Sequence, residues 1–330
     1  MATDNTVTMS FELDPTASAT KAVRKVARKR LDAALELLAG IDTAEPAAIE
    51  DAVHDARKRC KEVRSLARLV RSSIGDAAFR SFNSAVRDAA SELAPIRDSH
   101  AVLETFGDLI TATGSERDRR LARVRAAHAE EAERATQLAT SDVARIERAR
   151  RLLRGAQRMA RKWSVPGGFA GIADGIETVY RAGRRALDVA RDEPTDVAVH
   201  EWRKSVKHLY HAIQLIEAAA PSMLSPLVEQ LDHLGDALGD DHDLAVLVER
   251  LGDAPDTHGG EAAVAHAVDM ARTEQADLRR RAFRLGQAIY AEKPAAFRRR
   301  VERYWQLTQT EGQELKTGKI SAVGAPQTGT

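Results

Sequence analysis

Two stretches of the chain repeat one arrangement of side chains that carry charge or protons. "VHDARKRCKEVRSLARLV" (53–70) and "VHEWRKSVKHLYHAIQLI" (199–216) each open with Val-His and place basic residues three, four and seven positions after the His. They share His54/His200, Arg57/Arg203, Lys58/Lys204 and Lys61/Lys207. On a helix, positions i, i+3, i+4 and i+7 fall on one face, so each stretch carries a row of cations. The first row continues through Arg64 and Arg68, the second through His211. The opposite stripes are apolar: Val53, Ala56, Cys60, Val63, Ala67 and Val70 in one, Val199, Trp202, Val206, Leu209, Ile213 and Ile216 in the other. A single basic face is commonly a solvated one and a lone His a packed or capping residue, but a row kept in both copies suits anion capture. Arg presents a planar fork to paired oxygens, Lys a point charge, and a His beside an anion holds its proton more tightly.

A row of this kind repels itself, because surface helices normally set Glu against Lys one turn away. Within the first row only Glu62 intervenes. If the two rows converge, an anion between them relieves the repulsion, and affinity should rise towards pH 6 as His54 and His200 take up protons. The preceding helices add Lys21, Arg24, Lys25 and Arg28 in the first half and Arg181, Arg184 and Arg185 in the second.

The elements that hold these residues read as helices throughout. Val23, Val26, Ala27, Leu31, Ala34, Leu35 and Leu38 recur at helical spacing over 17–39. Pro46, a good first-turn residue, opens a second helix to about 72. One or two follow over 75–110, interrupted near Pro95, and 117–162 reads as two joined around "ATSD". "SVPGG" (164–168) is the clearest linker. Helices are then expected at 170–191, 195–219, 222–250, 260–291 and 294–309. No segment alternates with period two, and β-branched and aromatic residues are sparse. The fold class is all-α.

The Val-His segments align at an offset of 200 − 54 = 146. "LAPIRD" (93–98) and "LGDDHD" (238–243) align at 145, and "RMARKW" (158–163) and "RVERYW" (300–305) at 142. The chain therefore reads as an internal duplication with a pseudo-two-fold axis. Its parts are a polar segment (1–16), a first half (17–163), the linker (164–168), a second half (169–310) and a tail without an apolar face, expected to be disordered (311–330). Asp98 and Asp243 are read as structural, as caps or partners of an Arg.

Bulk charge gives no argument for a nucleic-acid protein, since 50 Lys and Arg stand against 49 Asp and Glu. One cysteine excludes an internal disulfide and a Cys-based zinc site. No apolar run is long enough to span a membrane, and the N-terminus lacks the pattern of a secretory signal. A cytoplasmic protein is expected, without a cofactor.

These residues resemble the CHAD family, the conserved histidine α-helical domain, over about 17–310. The resemblance lies in the two "VH-x-x-R-K-x-x-K" segments, "L-x-x-x-R-D" and "L-x-x-x-H-D", and the closing aromatic-bearing helices. It implies two pseudo-symmetric four-helix bundles around a basic central groove or pore. It also implies non-catalytic binding of inorganic polyphosphate and targeting to polyphosphate granules and their proteins. The implied contacts are His54, Arg57, Lys61 and Arg64, then His200, Arg203, Lys204 and Lys207. Glu62 and Tyr210 depart from the pattern, standing where the family often has a basic residue. The E-x-E-x-K signature of the triphosphate-tunnel domain, to which many relatives are fused, is absent. Two rival readings follow from the residues. One is a nucleic-acid binder, which the low aromatic content disfavours. The other is a metal-dependent phosphohydrolase built on "DDHD" (240–243), where Asp240 and Asp243 share a helical face.

Overall fold

The computed structural model describes residues 11–41, 46–115, 117–140, 143–253 and 260–316. Every regular element among them is helical. In chain order these are α1 (Ala19–Leu37), α2 (Pro46–Leu69), the single turn α3 (Arg71–Ile74), α4 (Asp76–Glu92), α5 (Pro95–Ala112), α6 (Arg119–Thr140) and α7 (Val143–Ala160). Then come α8 (Phe169–Asp192), α9 (Asp196–Gln214), a 3₁₀ turn (Glu217–Ala219), α10 (Pro221–Asp253), α11 (Glu261–Ile289) and α12 (Pro294–Lys316). The break at Pro95 and the joint near "ATSD" fall as expected. α12 runs to Lys316, past the expected end at 309, and the rest of the tail lies outside the described residues.

Both apolar stripes read from the Val-His segments are buried along their length. The burial goes further on α2, where Glu62, Ser65, Leu66 and Leu69 are buried too. α2 is therefore a central helix, enclosed by α1, α4, α8 and α9. Its thiol, Cys60, packs as a small hydrophobe, and burial pushes its pKa up to about 12. α8 approaches the end of α2 so closely that a Cβ on Gly175 would lie 1.8 Å from the Leu69 carbonyl oxygen. Only glycine allows that contact.

The buried apolar residues form two clusters, and each draws on both sides of the 164–168 segment. The larger joins α1, α2, α4 and α7 to α8, α9, α12 and the first part of α10. The smaller is formed by α5 and α6 against the later part of α10 and the first part of α11. The segment at 164–168 is itself pinned: Val165 is buried, and its N–H donates to Thr20 Oγ1 at 2.9 Å.

The start of the described chain differs from its reading as a polar segment. Phe11 and Leu13 are buried, and the Leu13 N–H donates to the Leu215 carbonyl at 2.7 Å. The Phe11 ring meets His211 edge-on, with centroids 5.8 Å apart, and the Arg30 guanidinium lies over its face at 5.1 Å. The segment straps the end of α9 to α1.

Candidate functional site

α2 and α9 pack against one another, and their charged residues meet in opposing order. His208 on α9 is surrounded by Arg64 and Arg68 of α2, with Lys204 and His211 of its own helix. One turn on, His211 is surrounded by Lys58 and Lys61 of α2 and by Lys207. Later residues of α9 thus face earlier residues of α2. Burial first, and these cations second, push the His208 pKa down to about 3. Burial does the same for His211, to about 4, although a hydrogen bond with Gln214 opposes it. Both rings are held neutral inside a seam of positive charge.

The opposing order puts His54 and His200 at opposite ends of this seam rather than face to face. His54 is exposed. His200 is half-buried against His242 of α10, with ring centroids 4.0 Å apart, and its Nδ1 has no hydrogen-bond partner among the described residues. Burial, the His242 ring and the nearby Arg203 and Lys204 hold its pKa at about 4. Without an anion, burial and these cations favour the neutral His200 ring, and the expected gain of a proton rests on a bound anion. His211, read as part of an exposed basic face, is buried under Phe11.

The remaining cations of the two rows divide by helix. On α2, Arg57 donates to the Ala90 carbonyl at 3.2 Å and Arg64 Nε to Asn83 Oδ1 at 2.9 Å, both on α4. On α9, Arg203 and Lys207 lie along α10. The end of the Lys207 side chain occupies the space where a Cβ on Gly235 would stand, 2.6 Å away. Its Nζ pairs with Asp236 at 3.0 Å and Asp232 at 3.5 Å. Lys204 pairs with Glu201. Lys58 and Lys61 are exposed beside the seam.

Glu62, the acidic departure within the first row, turns inward. It accepts from Arg59 at 3.0 Å and pairs with Arg30 of α1 at 3.3 Å. Arg30 and Glu62 are 3% and 4% exposed, so this is a core ion pair and leaves the basic surface intact. Tyr210, the other departure, has Lys207 Nζ 5.4 Å from its ring centre.

The earlier helices contribute elsewhere. Lys21, Arg24, Lys25 and Arg28 line a cleft between α1 and α7 together with Arg161, and no residue of α2 or α9 lines it. On α8, Arg181 pairs with Glu177 and Arg184 donates to the Glu292 carbonyl at 2.7 Å, while Arg185 is exposed.

"LGDDHD" lies within α10, so Asp243 does not cap a helix. Asp241, 1% exposed, binds Arg279 Nε at 2.6 Å, and Arg279 also reaches Asp196 at the start of α9. Burial and the nearby Asp243, Asp236 and Asp108 raise the Asp240 pKa. No three His, Cys, Asp or Glu among the described residues are grouped to hold a metal ion. The side chain of Asp98 lies outside the described residues.

Two contributors to the seam went unread in the sequence, His208 and His242. His208 stands four residues after Lys204 and eight after His200, on the same helical face, so its spacing carried the signal. His242 stood within the quoted "L-x-x-x-H-D" but was given no role there, because its pairing with His200 depends on how α10 packs. No helix among the described residues is long and apolar enough to cross a membrane.

A family model described as the CHAD domain matches residues 32–252. No curated protein matches the chain. Among solved structures, the crystal structure of the CHAD domain from the plant Ricinus communis superposes with a TM-score of 0.60 at 17% identity, covering 85% of this chain and 94% of that one. PptA from Streptomyces chartreusis gives a TM-score of 0.60 at 14% identity, covering 84% of this chain and 100% of that one. At these identities the likeness speaks for the fold.

Proposed function

The chain belongs to the CHAD domain family, and on that premise we propose that it binds inorganic polyphosphate without catalysis. In this reading the α2/α9 seam is the basic groove between two related halves, and binding brings the protein to polyphosphate granules. One observation carries it: cations from both helices close on His208 and His211, and although Lys204 and Lys207 have carboxylate partners, none of those carboxylates adjoins the two rings. A buried or half-buried set of like charges is costly unless an anion completes it. A phosphate polymer offers oxygens along its whole length and no bases to read. Arg64 and Arg68 suit pairs of those oxygens, and Lys58, Lys61 and Lys204 supply charge along the rim.

Occupancy by the anion favours protonated His208, so binding takes up protons and strengthens as the pH falls below that of the bound imidazole. Counterion release makes the affinity fall steeply with salt. The test is filter binding of long-chain polyphosphate to the whole chain and to a Lys58→Glu, Lys61→Glu, Lys204→Glu variant, with circular dichroism to check the fold. The variant, whose three changes lie on exposed positions, should lose at least tenfold in affinity. Unchanged binding, or equal competition by single-stranded DNA at matched charge, would defeat the reading.

A further inference from the structure

We propose that the cleft between α1 and α7 is a second binding site, separate from the seam, for a short inorganic phosphate chain. Five cations line it: Lys21, Arg24, Lys25 and Arg28 along α1, and Arg161 just past the end of α7. The other lining residues are Ser, Thr, Gln and Ala, with no carboxylate among them. Lys21, Arg28 and Arg161 form no ion pair with a carboxylate among the described residues. The nearest acids are engaged otherwise. Asp14, which lies close enough to feel Lys25, accepts from the Thr16 N–H at 2.9 Å and its hydroxyl at 2.7 Å. Asp32 accepts from Gln157.

The walls of the cleft are fixed before any ligand arrives. Arg24 Nε donates to the Trp163 carbonyl at 2.6 Å, the Val165 N–H to Thr20 at 2.9 Å, and Gln157 to Asp32. These three ties run in opposing order and hold α1 antiparallel to α7. Between them lies a cavity of about 650 Å³, within the ~300–1,000 Å³ range of small-ligand clefts. A chain of a few phosphates fits that size and that charge. No aromatic side chain lines the cleft, so it lacks the stacking surface that would hold a nucleobase.

The matching place in the second half shows what a neutralised version looks like. There α8 and α12 carry Arg181 and Arg298, and Asp174 and Glu177 of α8 pair with them, Asp174 with Arg298 at 2.9 Å. Arg300 is likewise matched by Glu292. The α1/α7 cleft has the cations without the acids.

Isothermal titration with sodium tripolyphosphate at low salt tests the assignment on three forms of the whole chain. These are the wild type, a cleft variant (Lys25→Ala, Arg28→Ala, Arg161→Ala) and the seam variant given above. The cleft variant should lose at least tenfold in affinity for one class of site, and the seam variant should keep that class. A cleft variant with the full wild-type isotherm overturns the proposal, as does loss of every tripolyphosphate site in the seam variant. ATP displacing tripolyphosphate from the cleft at equal concentration would also overturn it. Should the triple variant melt early, the single changes Lys25→Gln and Arg28→Gln must each weaken the cleft class about threefold or more, and no change in either overturns the assignment. Failure of the seam reading would appear as binding that the seam variant leaves intact, with the cleft result unaffected.

Discussion

α2 and α9 carry the same Val-His signature, yet the eighth residue after each signature His has opposite fates. After His54 it is Glu62, and after His200 it is His208. Glu62 turns into the core and neutralises Arg30. His208 sits among Arg64, Arg68 and Lys204 and cannot neutralise anything. α2 has a carboxylate of its own in Glu62, whereas α9 places a neutral His208 ring among cations that come mainly from α2. The difference shows how two helices with one signature can place the eighth residue after its His in the core or among cations.

The largest effect should come from removing the internal anion. Glu62→Ala takes from the buried Arg30 the carboxylate that neutralises it, which costs about 3–5 kcal/mol and lowers the melting temperature on the order of 10 °C. Replacing both partners, with Arg30→Met and Glu62→Leu together, should recover most of that loss, since Arg59, the other partner of Glu62, is partly exposed to solvent. A Glu62→Ala protein as stable as wild type would break the contrast between the two helices. The converse change, His208→Glu, supplies α9 with the carboxylate that α2 has. It should raise the melting temperature and lower polyphosphate affinity at least tenfold, both read from a thermal melt and a filter-binding titration.

Acid should separate the two helices next. His208 titrates at about 3, and His200 and His211 at about 4, all below the ordinary value for His. The unfolded chain therefore binds more protons than the folded one between that ordinary value and these. Stability is full above about pH 6.5 and declines as the pH falls through the window towards 3. Bound polyphosphate should shrink the decline, and His208→Gln should remove part of it. Melting temperatures between pH 4.5 and 8, with and without polyphosphate, check both statements. A decline that neither ligand nor substitution alters would place the acid response in the carboxylates instead.

Much of this was legible in the sequence. The helices fall close to where periodicity and Pro or Gly punctuation put them, because a long amphipathic pattern is a strong signal. The cations on α2 and α9 were legible for the same reason. Their sorting was not. Arg57 leans on α4 and Arg203 lies along α10, while Arg64 and Lys207 flank the seam and are tied to Asn83 of α4 and Asp236 of α10. Spacing on one helix fixes a face about a third of a turn wide, and neighbouring helices decide the rest. Asp240 to Asp243 read as a helix cap because Asp competes locally with the backbone. Tertiary contacts overrode that preference when Arg279 bound Asp241 from α11. Phe11 and Leu13 gave too short a pattern to reveal burial.

The contrast recurs between the α1/α7 cleft and the α8/α12 face, and smaller changes can reverse it. Asp174→Asn with Glu177→Gln removes the α8 carboxylates from Arg181 and Arg298, leaving Arg298 with Glu302 at 3.8 Å. Tripolyphosphate should then bind there severalfold more tightly, in a salt-dependent way, while stability falls by no more than about 1 kcal/mol, because partly exposed pairs contribute little. No gain in binding would mean that unpaired cations alone do not make a site, and that the shape of the α1/α7 cleft matters more than its charge.

Lys21→Glu tests the same point from the opposite side with the smallest expected change. α1 has no acidic residue in its first turn, and Lys21 stands one turn before Lys25. A Glu at 21 would relieve repulsion in the cleft, pair with Lys25 for about 0.2–0.5 kcal/mol and complement the helix dipole for about 0.3–1 kcal/mol. The substituted protein should therefore melt slightly higher than wild type at low salt, with the advantage fading as salt screens both terms. A charge kept at the expense of stability is the mark expected of a residue that serves a ligand. If Lys21→Glu instead melts lower at every salt concentration, the cations of α1 are already balanced within the protein, and the cleft has no surplus charge to offer an anion.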